Sequence, residues 1–344
     1  MRDVESMPGL IEAFLRDRSG LDVSVTEYQL MTGGYSRVMA KVACTWHDGR
    51  SETLVLRGDP PPEEALLVTD RDLEWAVLSQ LTTLEAIPMP PARWYVDDPT
   101  LFGTKAIFID HVDSPSLQAQ FDAGLDPDSQ RDALVDLLAS VHSIDVDSLP
   151  EALARPGTWD DYLTDVIAEW GACEDAYVEA SPMLRYIGAW LDANCPPPVP
   201  LRLVHGDFQA ANVLHSADSS YQLVDWEYAH LGDPREDLGW YNGYSSAAPP
   251  NVYARDPEAF LARYRDATGF DESQVNQLTV GYFTILGSIK VIAGIYTALN
   301  AFARGEASGV LTGFNVLSAT YGHMNFLNAI KGIEAAKAAM EAAR

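Results

Sequence analysis

The hydrophobic period of this chain changes once, near residue 113, and that change constrains the fold more than any other feature. Before it, apolar residues alternate in short runs: VSVTEYQL from Val23, SRVMAKVACTW from Ser36, and ETLVLR ending at Arg57. Period-two runs bounded by Thr32-Gly33-Gly34 and His47-Asp48-Gly49 predict a meander of three antiparallel strands. Over residues 69–84, Leu73, Val77, Leu78 and Leu81 recur at three- and four-residue steps, which predicts a helix; Pro88, Pro90 and Pro91 forbid its continuation. KAIFIDHV, from Lys105 to Val112, predicts another strand, closed by the connector Asp113-Ser114-Pro115.

Beyond the connector the period is helical. Asp126-Pro127 supplies an N-cap and a first-turn proline, and Leu134, Leu137, Leu138 and Val141 form one apolar stripe. Helices are expected over 159–180 and 182–193, where Cys195-Pro196-Pro197-Pro198 stops them, and again from Pro257 to the Ala-rich end. Two short apolar runs with polar loops interrupt this series between Leu201 and Trp240. A sheet-rich part of 1–112 followed by a helical part of 113–344 is an α+β arrangement of two lobes, a size that 344 residues can fill.

Composition narrows the partners. A formal charge of -27 repels the phosphate backbone of nucleic acid and an anionic membrane surface, so neither is expected as a partner. Three cysteines, Cys44, Cys173 and Cys195, without a CxxC pair, argue against a disulfide framework and for a reducing compartment. The first twenty residues interleave charges with apolar residues and lack the apolar core of a signal peptide, so a cytoplasmic location is expected. The longest apolar stretch, Leu278 to Phe302, contains Gly281, Gly287, Ser288, Lys290, Gly294 and Asn300, which fits a buried helix better than a membrane span.

Chemistry concentrates between Leu203 and Asp237. His205, Asp207, Asn212, Asp225 and Glu227 each sit at or just after the end of a short apolar run, where side chains can converge on a cleft. Two carboxylates and an amide oxygen on neighbouring loops are hard donors suited to magnesium, which keeps water and shares its coordination with substrate phosphates. A third carboxylate could accept a proton from a nucleophile. No HExxH, GxSxG, GxxxxGK[ST] or GxGxxG occurs, so the chain lacks the signatures of the common zinc hydrolases, serine hydrolases, P-loop proteins and dinucleotide binders.

His205-Gly206-Asp207, Asn212 five residues after the Asp, Asp225-Trp226-Glu227, and Leu231-Gly232-Asp233-Pro234 with Asp237-Leu238 together resemble the catalytic and metal-binding loops of the aminoglycoside phosphotransferase and choline kinase-like family, which shares the protein-kinase fold. The resemblance covers most of residues 25–245. It implies an ATP- and Mg2+-dependent phosphotransferase with a small hydroxylated substrate, and a bilobed fold with a small antiparallel-sheet lobe ahead of a larger helical lobe. Asp207 would orient the acceptor hydroxyl and take its proton; Asn212 and Asp225, with Glu227 as a secondary group, would hold the metal. His205 would support the loop by hydrogen bonding, and Asp233 and Asp237 would tie loops together.

The same resemblance places a phosphate-facing turn at Gly33, Gly34, Tyr35 and Ser36 and a phosphate-binding guanidinium at Arg57, aimed by Glu74, with Lys41 as the competing cation. Phe108-Ile109-Asp110-His111-Val112 resembles the hinge, where adenine would bond to backbone groups near Asp110 and Val112; nothing there separates ATP from GTP. Acceptor contacts are expected from Asp207 and from aromatic residues of the helical part, foremost Trp159, Tyr162, Trp240 and Tyr241. An amino sugar, a hydroxyacyl-CoA or another small alcohol all stay open as acceptor. A kinase-like protein that binds nucleotide without turnover is the reading from a different class. Lys290 reads as a snorkelling or internally paired side chain.

Overall fold

The computed structural model describes residues 5–31, 38–59, 70–177, 183–217, 219–305, 324, 326–335 and 337–338. The chain divides into two compact units: Met1–Pro115 with Leu214–Glu227, and Ser116–Val213 with Tyr228–Arg344. Residues 214–227 therefore leave the helical part and join the first unit, a difference from the expected division at 112/113. The cause is a set of long-range bonds that local periodicity does not encode. Leu223 N donates to Pro88 O at 2.8 Å, His215 N donates to Pro115 O at 3.1 Å, and the Ser114 and Ser216 hydroxyls lie 2.8 Å apart.

Unit one carries α1 (Met7–Ser19), β1 (Val23–Leu30), β2 (Val38–Trp46), β3 (Ser51–Gly58), α2 (Arg71–Leu84), β4 (Ala92–Val96), α3 (Pro99–Phe102) and β5 (Ala106–Asp110). Its antiparallel sheet has the order β1-β2-β3-β5-β4. The expected three-strand meander is there, and Gly49, at φ +83°, makes the turn between its second and third strands. Three elements exceed expectation, α1, β4 and the four-residue α3. The first is α1, whose charges lie outward while Met7, Ile11, Phe14 and Leu15 are buried; Phe14 stacks on Phe108 at 5.7 Å between ring centroids. The second is β4, ARWYV, a strand too short to show a period. Helix α2 begins after Asp70, whose carboxylate accepts from the Asp72 and Leu73 amides, and it buries Val77, Leu78 and Leu81.

Unit two carries α4 (Leu117–Asp122), α5 (Arg131–His142), α6 (Trp159–Tyr177), α7 (Met183–Ala193) and β6 (Arg202–Val204). The short strands β7 (Val213–His215) and β8 (Tyr221–Leu223) pair with one another where the chain crosses into unit one. Back in unit two, β9 (His230–Gly232) pairs antiparallel with β6. The remaining described helices named by their ends are α8 (Arg235–Ala247), α9 (Val252–Arg255), α10 (Pro257–Thr268) and α11 (Gln277–Ala303), and residues 326–335 are also helical.

Helix α8 presents three parallel rows at four-residue spacing. Asp237 and Tyr241 are fully buried. Gly239 and Gly243 lie against α11, so close that a Cβ on Gly239 would meet Phe283 C at 2.4 Å and Thr284 N at 2.5 Å. Trp240 and Tyr244 form the third row, half-buried and exposed respectively. Among the described residues no helix is long and apolar enough to cross a membrane.

Candidate active site

In unit one, the inner strand β3 carries Arg57 into a buried cage of carboxylates. Its Nη2 donates to Asp225 Oδ1 and to Glu227 Oε2, the latter at 2.9 Å, while Nε lies 3.5 Å from Glu74 Oε1. Glu74 in turn bonds Arg71 through Oε2, and Arg71 Nη2 and Nε donate to Asp59 Oδ1 at 2.5 and 3.2 Å. Burial by itself would lower the pKa of Arg57; the charges of Asp225, Glu74 and Glu227 outweigh it and raise the pKa, so the guanidinium stays charged. Arg71 is the member of this network that sequence reading missed, since at one turn before Glu74 it looks like an ordinary helix-surface residue.

Among the described residues two guanidiniums, of Arg57 and Arg71, meet four carboxylates, of Asp59, Glu74, Asp225 and Glu227. The carboxylates differ in access. Asp225 keeps 30% of its side chain exposed, whereas Glu227 keeps 3%. Glu227 thus lies against Arg57 as a buried counter-ion. Asp225 also has φ +72°, a left-handed conformation that Asp tolerates better than most residues but that still costs free energy.

In unit two, β6 leads into His205-Gly206-Asp207. Gly206 has φ +81°, and an added Cβ would lie 2.5 Å from Tyr228 O, so the motif needs glycine for both conformation and space. The loop is anchored from α8: Asp237, with no exposed surface, accepts from His205 N at 2.8 Å and Gly206 N at 2.9 Å. Behind it His142 Nε2 lies 3.0 Å from Asp237 Oδ2, and His142 Nδ1 lies 2.6 Å from the Tyr264 hydroxyl. Burial pushes the pKa of Asp237 up, but the bond from His142 and the charges of His142 and His205 more than reverse this and hold it below the ordinary carboxylate value. His205 is buried, and its Nδ1 accepts from Asp207 N at 3.2 Å, the supporting bond expected of it.

The Asp207 carboxylate is fixed by three N–H donors. Trp240 Nε1 and Gln209 Nε2 each reach Oδ1 at 2.7 Å, and Asn212 Nδ2 reaches Oδ2 at 2.7 Å and the Asp207 carbonyl at 3.0 Å. Because Asn212 spends its NH2 on Asp207, its amide oxygen is left as the donor suited to a hard cation. Gln209, His142 and Tyr264 were not expected; Gln209 reaches back to Asp207 within the loop, whereas the partners of His142 and Tyr264 are distant in sequence.

Other expected residues lie elsewhere. Trp159 is buried and donates Nε1 to Asp233 Oδ2 at 2.7 Å; Tyr162 is buried and donates to Glu236 Oε1 at 2.5 Å; Tyr241 is enclosed between Phe208 and Phe260. These three brace the interior of unit two instead of facing an acceptor, because their polar tips find buried carboxylates or their rings find neighbouring rings. Asp233 also pairs with Arg235 at 2.6 Å. Asp110 N donates to Pro91 O and His111 N to Thr53 O, each at 3.0 Å, and the Asp110 carboxylate is forked onto Arg93. Asp110 thus spends its amide on Pro91 and its carboxylate on Arg93. Gly33, Gly34, Tyr35 and Ser36, and the side chain of Lys290, lie outside the described residues.

Residues 30–278 match the family profile described as "Phosphotransferase enzyme family". Among curated proteins, mouse acyl-CoA dehydrogenase family member 10 is 25% identical over 194 residues, covering 54% of this chain; the match spans 18% of that relative's length. Among solved structures, a candidate aminoglycoside phosphotransferase of Ralstonia eutropha JMP134 superposes with a TM-score of 0.72 at 18% identity, covering 94% of this chain and 98% of that one. Choline kinase LicA of Streptococcus pneumoniae gives 0.59 at 15% identity, covering 96% and 99%. The folds agree in a small antiparallel sheet and a helical part. The profile spans well over half of the sequence and includes the Asp207 and Asp225 loops, and so the chain belongs to the phosphotransferase enzyme family.

Proposed function

We propose that this protein is a small-molecule kinase that transfers the γ-phosphoryl group of ATP to a hydroxyl group, with magnesium. The observation that carries this reading is the Asp207 carboxylate, gripped by Trp240, Gln209 and Asn212 at the end of a loop that Asp237 holds by two backbone N–H groups. Phosphoryl transfer demands mainly that an acceptor oxygen be positioned and charge on the moving group be neutralised, and a carboxylate locked by three donors does the first. Oδ1 already accepts two N–H bonds, so the acceptor hydroxyl gives its hydrogen bond and then its proton to Oδ2.

Asn212 and Asp225 are the residues proposed to hold magnesium. They fit it chemically, since magnesium takes one or two protein oxygens and completes its shell with water and phosphate. Magnesium, when bound, neutralises charge on the phosphate oxygens. Arg57 fixes Asp225 and Glu227 in unit one, with Glu74 and Arg71 behind it, and this supporting part replaces a simple phosphate clamp. The backbone at Val112 is proposed to read the base.

The test is ADP release by purified protein with ATP and magnesium against a panel of alcohols and amino sugars. Asp207→Asn keeps the shape and is expected to lower turnover on the order of 10²- to 10⁴-fold while ATP still binds. Nucleotide binding without acceptor-dependent ADP release from the parent protein would make it a binding protein and not a kinase.

A further inference from the structure

We propose that Gln209 is a positioning residue for the transfer step: its side-chain N–H, and not its bulk, fixes the Asp207 carboxylate and closes Oδ1 to the acceptor. The proposal rests on the reading of Asp207 as the group that receives the acceptor's proton, and it goes further by assigning a role to a residue that is neither that base nor a proposed metal ligand.

Burial comes first. Gln209 is 7% exposed and lies between Phe208 and Ala210, which are buried as well. A long polar side chain in such a stretch needs partners for both ends of its amide. Nε2 has one, Asp207 Oδ1 at 2.7 Å. Oε1 is closed to solvent and has no hydrogen-bond partner among the described residues. A buried carbonyl oxygen without a donor opposes folding, so an apolar side chain of the same length would suit the packing better. What Gln209 supplies against that loss is the bond to Asp207. An amide kept beside a reacting carboxylate at the expense of stability is a side chain held for its chemistry.

The loop gives that bond its direction. The Gln209 backbone is extended, at φ −157° and ψ 159°, and its carbonyl accepts from Asn212 N at 3.0 Å. Asn212 in turn donates Nδ2 to Asp207 Oδ2 at 2.7 Å. Asp207, Gln209 and Asn212 therefore close a ring of hydrogen bonds within residues 207–212, and the ring sets the plane of the carboxylate. Trp240 Nε1 brings the second bond to Oδ1 from α8, also at 2.7 Å. Two donors fill the lone-pair sites of that oxygen and keep the acceptor hydroxyl off it. Without Gln209, Trp240 is left as the side-chain donor to Oδ1, and a hydroxyl that binds there lies out of line for transfer.

The test uses the full chain with ATP and magnesium, with water and the panel of alcohols and amino sugars as phosphoryl acceptors. ADP release is read beside the thermal midpoint Tm, and ATP binding is measured by equilibrium dialysis. Gln209→Met keeps the length and removes both the N–H and the unpaired oxygen. It is expected to lower kcat about tenfold, to leave the acceptor KM and the ATP Kd within about twofold, and to leave Tm at or above that of the parent. Loss of packing would instead lower Tm together with kcat. Gln209→His presents an N–H at similar reach and is expected to recover most of the lost kcat. A Gln209→Met kcat within about twofold of the parent overturns the proposal, and so does a Tm more than about 3 °C below it; both leave the kinase reading standing. A parent protein that releases no ADP with any acceptor, water included, or that fails to bind ATP, defeats the kinase reading, and the role of Gln209 falls with it.

Discussion

Replacing Asp237 by Ala removes the carboxylate that accepts from two successive backbone amides of the catalytic loop. Two backbone N–H groups, of the buried His205 and the half-buried Gly206, lose their partner, and His142 Nε2 loses its carboxylate. A buried donor left unsatisfied costs about 1–3 kcal/mol and the half-buried Gly206 amide less, so the two together cost about 3 kcal/mol, a large share of the roughly 5–15 kcal/mol that holds a folded protein. Asp237→Asn keeps one carbonyl oxygen but turns an NH2 toward the other donor, and about half of that loss is expected. Urea unfolding followed by far-ultraviolet circular dichroism at pH 7 measures both. The pH dependence gives a second reading. Asp237 has a folded pKa below its unfolded value, so its contribution is complete above about pH 4 and is lost as pH falls through the lowered folded value. The difference in stability between parent and Asp237→Asn should accordingly stay level from pH 8 to pH 5 and shrink below pH 4. An Asp237→Ala variant within about 1 kcal/mol of the parent, with turnover intact, would refute the anchoring role.

Arg57→Met is expected to destabilise the protein by about 3–5 kcal/mol in the same urea assay, because Glu74 and Glu227 stay buried without their common cation. Gly206→Ala forces a Cβ into a left-handed residue and to 2.5 Å from Tyr228 O; a loss of about 2 kcal/mol or more is expected by thermal unfolding, together with loss of turnover. Gly239→Ala drives α8 off α11 and is expected to cost about 1–3 kcal/mol, read as a lower urea midpoint with an unchanged slope.

The alternation in VSVTEYQL and ETLVLR is a local property of each strand, and it was legible because side chains on a half-buried strand alternate whatever lies beyond. The apolar residues of α1 were equally present but were hidden among charges that only the packed helix turns outward. The family resemblance brought Arg57 and Glu74 together by order along the chain, and the structure places their charged atoms 3.5 Å apart. It did not reveal that Arg57 would also hold Asp225 and Glu227, roughly half the chain away. Trp159 and Tyr162 show the reverse error. Aromatic residues in a helical lobe looked like acceptor contacts, yet their polar tips end on Asp233 and Glu236 in the interior.

From the sequence alone came the kinds of element, their order, and the presence of the carboxylates and amide that phosphoryl chemistry uses, because periodicity and residue type are properties of neighbours along the chain. Tertiary structure alone decided which carboxylates are spent on guanidiniums, imidazole and backbone amides, and which stay open for chemistry. That decision depends on desolvation and on distances of a few ångströms between residues far apart in order, which no local pattern records.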